Sequence, residues 1–311
     1  MGHRDTVFPT GTVARRGYSR RDDLAFGPGV ADMKAGLVLN CFVLRALSRL
    51  PSLPYPVHAL FTADEEIGSL DGRAFIEAAV QGARAVFNAE PGRVSGNVVT
   101  ARKGGAGFLI EVEGRAAHSG VNHADGASAI EALARKIVKL HALTDHAGGV
   151  TTNVGVIEGG MSRNTVAPWA RAQLDVRFVS AAQRERLYAD IEAIVAVEEL
   201  PGTRATLSRT SAFLPLEGHM SELLFGRYRD HAARLGFVVE GEFTGGCSDA
   251  GFTASLGVPT LCGVGPVGAK MHTDEEYCRL DTLVPRAQAV AATLLDLGDL
   301  TGEGAKSPVS A

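Results

Sequence analysis

The sequence predicts an α/β protein: a mostly parallel sheet with helices on both faces, interrupted by a smaller, inserted ferredoxin-like α+β domain. Three observations predict it. Up to about residue 99, and again after residue 211, strand-length apolar runs alternate with helix-length apolar stripes, the rhythm of βαβ units. Between these stretches the order becomes strand, helix, strand, strand, helix, strand, that of a ferredoxin-like unit. The 311 residues, 45% hydrophobic and 21% charged, suit one large globular domain or two ordinary ones.

Residues 33–50 are the first long helix, with Leu37, Cys41, Leu44 and Leu47 on one stripe and Pro51, Pro54 and Pro56 ending it. Residues 57–62 are a short strand running into Asp64-Glu65-Glu66. Residues 72–80 are a second helix, and 85–88 a strand that stops at Glu90-Pro91-Gly92. Further on, Phe108, Ile110 and Val112 alternate with Leu109, Glu111 and Glu113, the pattern of a half-buried strand. A helix over 127–140, strands over 152–157 and 170–178, a helix over 181–197 and a strand over 205–209 complete the insert. A helix over 221–235, strands over 237–240 and 260–263, and a helix over 285–297 then resume the α/β rhythm. The expected organisation is 1–99 and 211–301 as one domain, 100–210 as the insert, and 302–311 as a solvated tail.

Composition excludes several classes. With 31 Lys and Arg against 35 Asp and Glu, and no basic block, nucleic acid is not an expected partner. Cys41, Cys247, Cys262 and Cys278 stand far apart, which excludes a zinc knuckle and a disulfide framework. No apolar run is long enough to span a membrane. The chain opens on Met1-Gly2-His3-Arg4-Asp5 without a signal segment, so as written it is expected in the cytoplasm. An upstream leader would redirect it to export.

Five short stretches place acids or histidines where predicted strands end: His3-x-Asp5, Asp32 in Ala31-Asp32-Met33-Lys34, Asp64-Glu65-Glu66, Ala89-Glu90-Pro91, and Met271-His272-Thr273-Asp274. Open α/β sheets place ligands outside the carboxyl ends of their strands. Two imidazoles and several carboxylates converging there suit a zinc-type ion. Each stretch also has a plainer reading. A single acid at a strand end serves as a helix cap or turn residue, Glu65-Glu66 as a solvated turn, and His272 as a surface histidine.

Taken together and in order, these stretches resemble the di-zinc exopeptidase and aminoacylase family that includes glutamate carboxypeptidase, acetylornithine deacetylase and succinyl-diaminopimelate desuccinylase. The resemblance rests on Gly2-His3-Arg4-Asp5-Thr6-Val7, Gly29 to Gly36, Thr62 to Ser69, Glu90-Pro91-Gly92, Ala117-His118-Ser119-Gly120 and His272-Thr273-Asp274, and it covers nearly the whole chain. It implies a metal-dependent amidohydrolase that cleaves an amide beside a free carboxylate, in an N-acyl amino acid or a short peptide. It implies two divalent ions, zinc first, with cobalt or manganese as alternatives. Asp32 would bridge them, with His3 and Glu90 completing one and Glu66 and His272 the other. Glu65 would be the general base that takes a proton from the zinc-activated bridging water, and Asp5 would fix the His3 tautomer. A cis peptide is implied at Asp32-Met33.

The insert lies where the family has its dimerising lid, so a homodimer is implied, with His118 donating to the oxyanion of the partner's site. Asn164, Arg177 and the loop around Gly246 and Cys247 would receive the substrate carboxylate. Arg177 has an alternative partner in Asp175, two residues away. Two departures stand out. Cys247 replaces the Thr, Ser or Gly usual in relatives, and His3 sits two residues from the chain start. A ligand so placed is expected on a frayed end. The rival reading is therefore a truncated homologue that keeps the fold and the lid dimer but binds metal poorly.

Overall fold

The computed structural model describes residues 1–298 and Leu300, so the tail expected at 302–311 lies outside the described residues. The chain forms two compact units: one comprises Met1–Arg102 and the chain from Leu216 onward, the other Lys103–Pro215.

In the first unit, four strands pair in the order Gly241–Thr244, Val98–Arg102, Thr260–Cys262, Val86–Asn88. The outer pairs are parallel, and a single antiparallel bridge, Cys262 to Val99, joins the middle pair. Adjacent residues of a strand point to opposite faces, and the packing follows that rule. Val98 and Leu261 pack with Leu39, Val43, Tyr228 and Val290 from the helices Ala35–Leu47, Glu222–Arg234 and Leu283–Leu295. Val99 and Cys262 pack instead against Ala250 and Ala254 of the short helix Ala250–Ser255.

The expected mostly parallel sheet gives way to mixed sheets. Strands Gly268–Ala269, Tyr277–Arg279, Leu24–Phe26 and Ser19–Arg21 form a wholly antiparallel sheet. The reason is local: Asp22 and Asp23 reverse the chain in two residues, with Asp22 at φ 53°, and only antiparallel strands can be joined so tightly. Ser19–Arg21 is fully exposed and carries no apolar residue, so no periodicity announced it.

Two further expectations shift. The first helix begins at Ala35 rather than at residue 33, because Val30–Lys34 is an irregular turn with Asp32 and Met33 outside helical φ/ψ. The strand expected at 237–240 lies at Gly241–Thr244. Gly236, at φ 88°, and Phe237 return their amides to Ala233 and Ala232 at 3.0 and 3.1 Å. This hydrogen-bond pattern terminates the preceding helix and takes Phe237 out of any ladder.

The second unit is one antiparallel sheet in the order Arg204–Phe213, Gly104–Glu113, Trp169–Phe178, Thr151–Gly159. With helices Ala129–His141 and Ala181–Ala196, the chain order is β-α-β-β-α-β. Phe108, Ile110, Leu174, Val176, Leu187 and Ile191 build its core. Ser128 and Ser180 accept the backbone amides three residues on, Glu131 and Gln183, at 3.2 Å, which fixes where both helices begin. Among the described residues no helix is long and apolar enough to cross a membrane.

Candidate metal centre

His3 does not sit on a frayed end. The strand Gly2–His3 pairs in parallel with Phe61–Thr62. The amides of Gly2 and Arg4 donate to Leu60 and Thr62 at 3.0 Å, and the amide of Ala89 donates to Met1 at the same distance. Backbone bonds to both flanking segments bury His3 to 1% exposure. Terminal residues stay ordered when such pairing ties them down.

The next segment along carries Glu90. It lies close to the start of helix Ala35–Leu47 because Gly36 has no side chain: a Cβ there would fall 1.9 Å from the Ala89 carbonyl oxygen. Just before that helix is the irregular turn bearing Asp32, whose peptide bond to Met33 is cis, as the resemblance implied. Glu65 and Glu66 occupy the single turn Glu65–Ile67, and the Glu66 amide donates to Asp5 Oδ2 at 2.9 Å. His272, at φ 64°, stands in the loop between strands Gly268–Ala269 and Tyr277–Arg279.

These segments bring six side chains together. His3 Nε2 lies 3.2 Å from Asp32 Oδ1, 3.8 Å from Glu90 Oε1 and 3.9 Å from Glu65 Oε2. His272 Nε2 lies 3.3 Å from Asp32 Oδ2 and 3.4 Å from Glu66 Oε2. The two oxygens of Asp32 therefore face different imidazoles. On its other side the His3 ring has Nδ1 3.2 Å from the Asp5 carbonyl oxygen and 3.4 Å from Asp5 Oδ1.

The electrostatics follow from crowding acids in a largely enclosed cluster. Burial, reinforced by the charge of Glu90, pushes Glu65 well above the carboxylate range. Burial with the charge of Asp32 pushes Glu66 and Glu90 up to about 7. Burial alone would lower His3, but Asp32, Asp5, Glu90 and Glu65 push it up to about 12. Burial would raise Asp32, but the imidazoles of His272 and His3 beside it hold it below the usual range. The hydrogen bond to Asp32 raises His272.

This donor set fits a divalent cation. His3, Asp32 and Glu66 each offer an atom, all within 4.8 Å of one another. Among the described residues the buried His3 Nε2 has no hydrogen-bond partner, and it points at carboxylate oxygens. Imidazole nitrogen with carboxylate oxygen is a zinc-type ligand set, and a cation among such acids lets them ionise together. An apolar cavity of about 400 Å³, lined by residues including Val13, Tyr18, Val38 and Leu283, contains none of these acids or imidazoles.

The sequence motifs did not single out three residues around this cluster. Glu276, wholly buried, accepts the amides of Gly29, Ala31 and Asp32, each at 2.9 Å. Asp249, buried and raised by that burial, accepts the hydroxyls of Ser69 at 2.5 Å and Thr62 at 3.2 Å, on either side of the Glu65-Glu66 turn. Arg102 has Nη2 3.8 Å from Glu90 Oε2, and its Nη1 donates to the carbonyls of Gly246 and Cys247 at 3.4 and 3.0 Å. Asp249 stands two residues beyond Cys247 of the loop that the resemblance marked. No motif marked Arg102.

The remaining expected residues fall in the second unit. His118 and Asn164 are brought side by side: Ser119 donates to the Asn164 carbonyl at 3.0 Å, and His118 bridges to Thr165. His118 Nδ1 accepts the Gly120 amide at 3.2 Å, so the neutral ring carries its proton on Nε2. Arg177 grips Asp175 with Nε at 2.9 Å and Nη2 at 2.8 Å, the alternative partner weighed from the sequence.

The sequence profile of peptidase family M20/M25/M40 matches residues 1–296. Carboxypeptidase G2 of Pseudomonas sp. (strain RS-16) is 26% identical over 306 residues, 96% of this chain and 73% of that protein. A succinyl-diaminopimelate desuccinylase of Paraburkholderia xenovorans is 28% identical over 307 residues, 91% of this chain and 78% of that protein. Among solved structures, the aminopeptidase PepT of Bacillus cereus superposes with a TM-score of 0.76 at 25% identity, over 95% of this chain and 79% of that one.

Proposed function

The chain belongs to peptidase family M20/M25/M40 and is a metal-dependent hydrolase of the peptidase and deacylase kind; on that premise we propose that it cleaves an amide bond beside a free carboxylate. The observation that carries this reading is the division of Asp32 between His3 and His272, at 3.2 and 3.3 Å. It suggests two half-sites with one shared ligand, the first completed by His3 and Glu90, the second by Glu66 and His272. Two zinc ions suit these donors, with cobalt or manganese as substitutes. Bound there, the metal supplies Lewis acidity toward the scissile carbonyl and toward water.

The chain's own groups do the rest. Asp5 accepts the Nδ1 proton of His3, which leaves the Nε2 lone pair toward the cluster. Glu65, mostly enclosed and raised well above the ordinary carboxylate range, would take a proton from the attacking water and pass it to the departing amine. We assign His118 Nε2–H to the oxyanion, in a homodimer formed through the inserted unit. Asn164, Gly246, Cys247 and Arg177 we assign to the substrate carboxylate, with Arg177 releasing Asp175 to bind it. An N-acyl amino acid or a short peptide with an acidic C-terminus is the substrate class that such a set recognises.

The test is a panel of N-acyl amino acids, each assayed as the free acid and as its methyl ester, on chelator-treated chain with and without two equivalents of Zn²⁺. Zinc-dependent hydrolysis of the acids, with the esters left untouched, is expected. Equal turnover of acids and esters would remove the carboxylate from the reading, and turnover unchanged by chelation would remove the metal.

A further inference from the structure

Glu276 looks like part of a solvated acidic run, Asp274-Glu275-Glu276, yet it has 0% exposure. Its carboxylate is filled by backbone. Oε2 accepts Gly29, and Oε1 accepts both Ala31 and Asp32. Those three amides are the hydrogen-bond donors that fill its side chain. A carboxylate is acceptor-only on both oxygens, which three converging N–H groups require.

The same residue is tied to His272. Its own amide donates to the Thr273 carbonyl at 3.2 Å, closing the turn 273–276, and the Thr273 amide donates to the Lys270 carbonyl at 3.2 Å, closing the adjoining turn that carries His272. The next residue, Tyr277, enters the ladder opposite Phe26. The Glu276 side chain thus holds the backbone of Asp32 from a turn that adjoins the one carrying His272, and the side chains of Asp32 and His272 meet at 3.3 Å.

We infer that Glu276 is a positioning residue that sets the spacing of Asp32 against His272, and so tunes one of the two metal half-sites. This rests on the metal reading above. It assigns the three amides of the 29–32 turn to Glu276 before any metal arrives. Glu276→Gln keeps the shape but turns an NH₂ toward at least one of those amides, so the turn loses an acceptor. Groups that orient metal ligands typically change affinity by about 10–100-fold when replaced.

The experiment titrates Zn²⁺ into chelator-treated full-length chain by calorimetry, for wild type, Glu276→Gln and Glu275→Gln. Glu275 is exposed and pairs with Lys270, so its variant should match wild type. Glu276→Gln should bind one zinc equivalent about 10–100-fold more weakly and the other normally, with an unchanged far-ultraviolet circular dichroism spectrum. A wild type that takes no zinc sinks the metal reading and this inference with it. A wild type that takes two equivalents, matched by Glu276→Gln, sinks the role of Glu276 alone. Should Glu276→Gln fail to fold, hydrogen exchange on the metal-free wild type decides. Slow exchange at Gly29, Ala31 and Asp32 supports the assignment, and unprotected rates at all three overturn it.

Discussion

Asp5 accepts the backbone amide of Glu66 through Oδ2 at 2.9 Å, while its Oδ1 stands 3.4 Å from His3 Nδ1. One carboxylate therefore spans the cluster, touching the imidazole of one half-site and the backbone of a ligand in the other. Replacing it with asparagine separates these tasks. The amide oxygen can still serve Glu66, but the NH₂ then faces His3 Nδ1 and favours the tautomer with its proton on Nε2. Asp5→Asn should weaken zinc binding by about 10–100-fold while the folded chain persists. Calorimetric titration together with a thermal melt checks both parts.

Glu65 and Glu66 are neighbours with different surroundings. Glu66 faces His272 at 3.4 Å, whereas Glu65 faces His3 at 3.9 Å and is raised well above the ordinary carboxylate range by burial and the charge of Glu90. Glu65→Gln should keep both zinc equivalents and lose about 10²–10⁴-fold in kcat, the usual worth of a positioned proton carrier. Glu66→Gln should instead lose zinc. Elemental analysis of both variants beside their turnover numbers separates the roles. A Glu65→Gln chain of normal kcat would end the assignment.

The metal-free chain should become less stable as pH rises. Glu66 and Glu90 titrate near 7 when folded, against an ordinary value of 4.5. Between those values the folded chain holds protons that the unfolded chain has released, so stability falls with pH across that window. His3 acts in the same direction. Its pKa is raised from 6.5 to about 12, so the stability it lends is complete below 6.5 and fades toward 12. Zinc competes with these protons. The rise in Tm on adding zinc should therefore be several degrees larger at pH 7.5 than at pH 5. Calorimetry at the two pH values, with a chelator control, measures it, and an equal gain at both would contradict the electrostatics.

What could be read from the sequence depended on whether a signal is local. Helices Ala181–Ala196 and Glu222–Arg234 carry their own stripes and stop signals, and each lies within a residue or so of its expected span. His3, Asp32, Glu66, Glu90 and His272 each stand beside a turn whose neighbours mark it. Strand Ser19–Arg21 is all polar and exists through its pairing with Leu24–Phe26, so periodicity could not find it. Glu276 was illegible for a related reason. Its partners are backbone amides nearly 250 residues away in sequence, and amides have no residue type. Which acid of the 274–276 run turns inward is set by the loop, where Lys270 and His272 take positive φ.

Two glycines of opposite kind give the last prediction. Gly36 lies in the first turn of helix Ala35–Leu47, where a Cβ would come 1.9 Å from the Ala89 carbonyl and 3.0 Å from Met33. The carbonyl is backbone and leads directly to Glu90, so the clash can be relieved only by moving a ligand segment. Gly226 sits inside helix Glu222–Arg234 with nothing within 4 Å of its Cβ position. Gly226→Ala should stabilise the chain by about 0.5–1 kcal/mol, the helix cost of glycine relative to alanine. Gly36→Ala should destabilise it by about 1–3 kcal/mol, as overpacking does, and should also weaken the zinc half-site that includes Glu90. Urea melts of both variants, each with and without zinc, test the pair. A Gly36→Ala chain as stable and as zinc-competent as Gly226→Ala would mean that the close approach at Ala89 does not hold Glu90 in place.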